Sequence, residues 1–195
     1  MKDIWFPFAE ILEERIAPAG LITTTFVHGV LTLNGADGAS HNVNIIKTGS
    51  RTFSVQGNST DINTVSQTSE NFHGTLTSVD IEGGSGNDIF MLTNLNPLKS
   101  LVFTGNGGVD SLSASNYRTS AGGDVSVSFA SGSGSVNFSG SKTTVAGYLD
   151  INLGAGGSID FTATSTVVGG NVALTGAGGS DSVSFTGATT LLKAG

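Results

Sequence analysis

Phe103-Thr-Gly-Asn-Gly-Gly-Val-Asp110-Ser-Leu112 and Leu174-Thr-Gly-Ala-Gly-Gly-Ser-Asp181-Ser-Val183 overlay position for position, 71 residues apart. Between them Ile151-Asn-Leu-Gly-Ala-Gly-Gly-Ser-Ile159-Asp-Phe161 reads as a degenerate copy with its Asp moved one place. A fourth copy, Ile81-Glu-Gly-Gly-Ser-Gly-Asn-Asp88-Ile-Phe90, precedes them all, and both Asp88 to Asp110 and Ile159 to Asp181 measure 22 residues. A second element keeps the same rhythm: Thr143-Thr-Val-Ala-Gly147, Thr166-Val-Val-Gly-Gly170 and Thr190-Leu-Leu-Lys-Ala-Gly195. The unit is 22–25 residues long. Self-similarity at such a period is the mark of a stacked repeat.

Each copy reads as one coil. Val172 and Leu174 alternate with small residues, Gly176 to Gly179 turn the chain, and Val183 and Phe185 alternate again. Period-two alternation over a few residues between glycines is a strand pattern, and a helical stripe would need spacings of three and four. Such short strands bury their inner faces only by stacking coil on coil. The expected fold is therefore all-β, a parallel β-helix (β-solenoid).

The rest of the chain divides around this core. Residues 81–195 are the regular repeats, expected to continue beyond the C-terminus in a longer protein; 19 of the 29 glycines follow residue 100. Residues 21–80 are irregular first coils with a polar loop at 57–74. Within them Gly29–Asn34 and Asn42–Lys47 read as strands joined tightly through Gly35–Gly38, with further strands at Arg51–Val55 and Thr75–Ile81. About seven coils are expected over 21–195. Residues 1–20 carry Phe8, Ile11, Leu12 and Ile16 at helical spacing, with Pro18 and Gly20 to stop the helix. This short N-terminal helix is either a cap on the solenoid end or a targeting motif, and both readings stay open.

Composition narrows the function. The 195 residues include 8 Lys and Arg against 15 Asp and Glu, so the net charge of −7 excludes a nucleic-acid footprint. No Cys is present, which removes disulfides, thiolate metal sites and Cys nucleophiles. No apolar run is long enough for a transmembrane helix.

Two family resemblances follow from motifs. Gly83-Gly-Ser-Gly-Asn-Asp88-Ile-Phe90 is similar to the haemolysin-type (RTX) calcium-binding nonapeptide G-G-x-G-x-D-x-U-x, and the segments around Asp110 and Asp181 match it in part. Leu12-Glu-Glu-Arg-Ile-Ala-Pro-Ala19 resembles the L-E-P-R-x-L-L motif near the start of large exported bacterial surface proteins, with Glu14 in place of the Pro. The resemblances imply a secreted or surface-attached bacterial repeat protein, with Asp88, Asp110 and Asp181 as candidate calcium ligands. The residues also support a plainer reading, in which Gly-Gly-x-Asp forms a corner whose Asp bonds its own turn. Stacking places Asp88 one rung from Asp110, and Asp160 near Asp181.

Enzymatic function is not expected. In the acidic group Asp80, Glu82 and Asp88, the first two share one strand face and read as a solvated edge, the cations after residue 100 are only Arg118, Lys142 and Lys193, and His28, His41 and His73 read as separate surface or turn residues. The polysaccharide-acting enzymes built on β-helices remain the catalytic alternative. A non-catalytic alternative lies in Thr143-Thr144, Thr164-Ser-Thr166 and Thr189-Thr190. Stacked, these form a hydroxyl ladder suited to ice or carbohydrate. The favoured reading is a non-catalytic surface or extracellular structural or adhesive scaffold, any calcium it binds being weakly held and structural, whose partners are cell-surface glycans or further copies of itself stacked end to end; a calcium-dependent RTX-like binding module is the alternative that the resemblance implies.

Overall fold

The computed structural model describes residues 20–35, 38–129 and 131–193. The helix expected within 1–20 falls outside the described residues, save for Gly20, which opens the first strand. Every regular element among the described residues is a strand. None of them is a helix long and apolar enough to cross a membrane.

Three sheets run up the long axis. The first contains β1 (Gly20–Val27), β2 (Val30–Gly35), β5 (Thr60–Ile62), β7 (Ser78–Glu82), β9 (Leu98–Thr104), β11 (Thr119–Ser128), β14 (Leu149–Asn152) and β17 (Val172–Thr175). The second contains β3 (Asn42–Lys47), β4 (Thr52–Gly57), β6 (Ser69–His73), β8 (Ile89–Thr93), β10 (Val109–Ser115), β12 (Ser133–Ser139), β15 (Gly157–Phe161) and β18 (Asp181–Phe185). A third, shorter stack holds β13 (Lys142–Val145), β16 (Ser165–Val168) and β19 (Thr189–Leu192).

From β2 and β3 onward all pairing within each sheet is parallel, so the chain winds as a β-solenoid of about five turns. The register fixes the turn length. Ser78 pairs with Ser100, Gly134 with Gly157, and Val125 with Leu149, steps of 22 to 24 residues. The sequence period is thus the physical coil.

Inside, each rung presents the same positions to the axis. Ile81, Phe103, Val127 and Ile151 stack in one column, and Phe90, Leu112, Val136 and Ile159 in another, all 0–2% exposed. Phe138, Phe161 and Phe185 stack face to face, with ring centroids 5.2 and 4.6 Å apart. Burying one such side chain is worth about 1.5–3 kcal/mol. With several per rung, apolar burial outweighs any single polar contact in holding the coils together.

The count of seven coils is corrected by residues 48–77. The step from β2 to β7 is Val30 to Ser78, and from β3 to β8 it is Asn42 to Ile89, about two ordinary turns. The extra chain leaves the winding and folds over its N-terminal end. There β4 pairs antiparallel with β3 and β6 with β4, while β1 pairs antiparallel with β2 and carries β5. The stretch 57–74, expected as a polar loop, therefore contributes β5 and β6. The end of each main sheet is thereby closed by a strand of three or five residues, and short edge strands offer little template for further pairing.

β2 and β3 belong to different sheets, so they do not pair with each other as the tight connection expected between them would require. The hairpin instead joins β1 to β2 through His28 and Gly29, with φ of 50° and 85°. Two successive positive φ values match the strand-twisting turn that favours Gly at its second position.

Candidate functional site

The Gly-rich corners after the first sheet carry all three candidate aspartates. Asp88 and Asp110 are completely buried, with their carboxylates directed into the coil. Asp88 stands one rung from Asp110, as the spacing requires. Its own main-chain N–H donates to Asp110 Oδ1 at 2.9 Å. One rung toward the N-terminus the pattern repeats with His41. The His41 main-chain N–H donates to Asp88 Oδ1 at 2.8 Å, and the ring Nδ1 lies 2.8 Å from the same oxygen.

Each carboxylate thus accepts from the corner amide of the preceding coil, and the turn-internal bond expected of an Asp corner is not the one formed. The physical demand is clear. Asp88 and His41 sit just before β8 and β3, where a buried amide must find an acceptor. The second oxygens, Asp88 Oδ2 and Asp110 Oδ2, and His41 Nε2 are buried with no hydrogen-bond partner among the described residues.

The reading of His41 as a surface or turn residue is corrected here. It is 2% exposed and belongs to the buried column. His28 and His73 are exposed, and so are Asp80 and Glu82.

Space for the inward groups comes from a facing column of small residues. A Cβ on Gly83 would lie 2.6 Å from Asp88 Oδ2, and one on Gly105 or Gly176 would collide with the Oδ2 of Asp110 or Asp181. Gly35 faces His41 in the same way, with 2.9 Å from a built Cβ to the ring. Two coils invert the arrangement. The column of Gly83 and Gly105 continues through Phe129 and Leu153 to Gly176, each amide bonding the next coil at the same position. Opposite them the column of Asp88 and Asp110 continues through Gly134 and Gly157 to Asp181. A Cβ on Gly134 would run into the Phe129 ring. Of each facing pair, one member is Gly.

This register corrects two sequence assignments. The place of the lost Asp is taken by Gly157, not Ile159, which is a core residue of the neighbouring column. Asp160 pairs with Ser184, not Asp181, and its Oδ2 accepts from Ser158 Oγ at 3.2 Å. Asp181 is exposed on the last rung, separated from Asp110 by the rungs of Gly134 and Gly157. The three candidate calcium ligands therefore do not converge. Among the described residues no group of three or more His, Asp or Glu is arranged to hold a metal ion.

Burial raises the Asp110 carboxyl from its ordinary 3.8 to about 6; the amide of Asp88 pulls the other way, and the Asp88 carboxylate adds a smaller upward push.

The threonine ladder is also corrected. Thr143, Thr166 and Thr190 are in register, but Thr143 and Thr166 are 0% exposed and face the core. The columns on either side, Lys142–Ser165–Thr189 and Thr144–Val167–Leu191, each hold a single Thr and are not threonine ladders. Tyr117 OH, Thr143 Oγ1 and Thr166 Oγ1 are buried without hydrogen-bond partners among the described residues. Desolvation pushes the Tyr117 phenol far up.

Set against known proteins, the chain matches no family model, no curated protein and no solved structure.

Proposed function

We propose that this chain is a non-catalytic structural segment of a secreted or bacterial cell-surface protein, its solenoid serving as a stiff scaffold. The observation that carries the reading is the enclosure of the one close His–carboxylate pair among the described residues. His41 and Asp88, 2.8 Å apart, have side chains 0% exposed, and Asp110 beside them is equally buried. A general acid or base must reach its substrate directly or through one water, and groups enclosed in a packed corner cannot. Asp88 and Asp110 act instead as acceptors that tie coil to coil.

The same reading includes contact between copies. On the last described rung the inward apolar positions are open, with Val183, Phe185 and Leu192 39–46% exposed. Apolar residues in continuous array mark association surfaces. Sedimentation velocity over a wide concentration range tests this contact, and a concentration-independent monomer would count against it.

The location and the absence of catalysis are tested together. Antibody raised against residues 20–193 is applied to intact and permeabilised source cells, and purified protein is incubated with a polysaccharide panel. The scaffold reading expects equal labelling of both preparations and unchanged polysaccharides. Labelling only after permeabilisation, or any chain cleavage, would overturn it.

A further inference from the structure

Where the excursion of residues 48–77 folds back on the winding, it leaves a cavity of about 240 Å³ against the corner at 95–99. Its floor and walls include Phe53, Leu76, Leu95 and Leu98, of which Phe53, Leu95 and Leu98 are 1% exposed. Two lysines, Lys47 and Lys99, stand on its lining. No Asp or Glu lines it.

That charge pattern is unusual for this chain. With 15 acidic residues against 8 basic ones, a cationic patch free of carboxylates runs against the overall composition. Neither lysine makes a salt bridge among the described residues, where the sole ion-pair contact is His41 with Asp88. Lys47 Nζ donates to the Asn96 carbonyl at 2.5 Å, which holds the ammonium at the cavity. An ammonium has three donors, so two remain. Apolar walls with a few convergent polar groups are the usual make-up of a small-molecule site.

We infer that this cavity binds a small monocarboxylate with a hydrocarbon body. The apolar part fills the space between Phe53, Leu76 and Leu98, and the carboxylate meets Lys47 and Lys99. Size agrees, because a dry apolar cavity of about 150 Å³ already accepts benzene. A dicarboxylate would have to place its second charge against leucines, at a large desolvation cost.

The test uses octanoate and its uncharged counterpart octan-1-ol, titrated into the full chain by NMR. Octanoate is expected to shift the methyl resonances of Leu76, Leu95 and Leu98 saturably, with at least tenfold higher affinity than octan-1-ol. Lys47→Met with Lys99→Met is expected to reduce octanoate to the affinity of the alcohol. Lys99 is exposed, so Lys99→Met alone gives a folded variant if the pair does not, and at least a twofold loss is expected from it. The inference is overturned by no saturable octanoate shift or by equal affinity for the two compounds. Shifts confined to Leu191 and Leu192 at the open rung, or octanoate affinity unchanged by Lys99→Met, would overturn it equally.

Discussion

The main-chain N–H of Asp88 donates to the carboxylate of Asp110, 22 residues later and one coil away, at 2.9 Å. The interaction joins two copies of one motif and is itself repeated between His41 and Asp88. A side chain here does the work that a strand carbonyl does elsewhere. On the rungs of Gly134 and Gly157 the corner amide bonds a main-chain carbonyl instead: Gly134 donates to Gly156 at 3.2 Å, and Gly157 to Ser180 at 3.3 Å although Asp181 is its register partner.

The facing Gly and Asp columns should be energetically coupled. Gly105→Ala drives a Cβ into the Asp110 carboxylate, while Phe129 Cδ1 at 3.1 Å blocks retreat. A loss of about 1–3 kcal/mol is expected from urea unfolding. Asp110→Gly recreates the pairing seen at Phe129 and Gly134, so the double variant should be less destabilised than the sum of the singles by about 1 kcal/mol. Strict additivity would show that the two columns do not share their space.

Asp110 makes a signed prediction about pH. Its carboxyl is raised to about 6, so the folded state holds the proton more tightly than the unfolded chain. The resulting stability is fully present below the unfolded value near 3.8 and is lost as pH rises through about 6. The melting midpoint of the native protein relative to Asp110→Asn should therefore fall between pH 5 and pH 7. A difference that rises over that interval would contradict the assignment. His41 and Asp88 face the same corner and are retained in both proteins.

Two buried hydroxyls should be dispensable. Thr143 and Thr166 face the core with Oγ1 unpartnered among the described residues, and Val has the same branched shape. Thr143→Val and Thr166→Val should each stabilise by about 1 kcal/mol, a rise of about 2–4 °C in melting midpoint. A drop would mean that these hydroxyls make bonds essential to the third sheet.

Calcium tests the role of the aspartates. As coil-to-coil acceptors they need no ion, and the melting midpoint should be the same in millimolar calcium and in chelator. Asp88→Ala should destabilise by about 1–3 kcal/mol in both, because the His41 amide is left buried without its acceptor. A calcium-induced rise that disappears in Asp88→Ala would assign these residues to ion binding instead.

The period and the parallel winding were legible because Gly and Asp recur at matching places around Asp88, Asp110 and Asp181. The exact register was hidden at the two coils where the facing pair is inverted. Phe129 with Gly134 and Leu153 with Gly157 preserve the volume of the corner but erase the motif, so an overlay by residue type slips onto Ile159. The column position of His41 was illegible for another reason: its neighbour Asp88 lies 47 residues away, because residues 48–77 are interposed. At Thr143-Thr144 the residue types left the phase of the strand hidden. Two identical residues in succession do not say which faces the core, and only the following Val145, 0% exposed, fixes Thr143 on the inner side with it.

The winding itself is tested most directly by pulsed electron spin resonance between nitroxides on the outward column Asp80, Val102, Ser126, Asp150 and Ala173, all exposed and in mutual register. With Asp80 as the fixed position, the distance should grow by about 4.8 Å per rung, reaching about 19 Å at Ala173. Distances that fail to increase in sequence order, as antiparallel pairing between these strands would give, would contradict the solenoid.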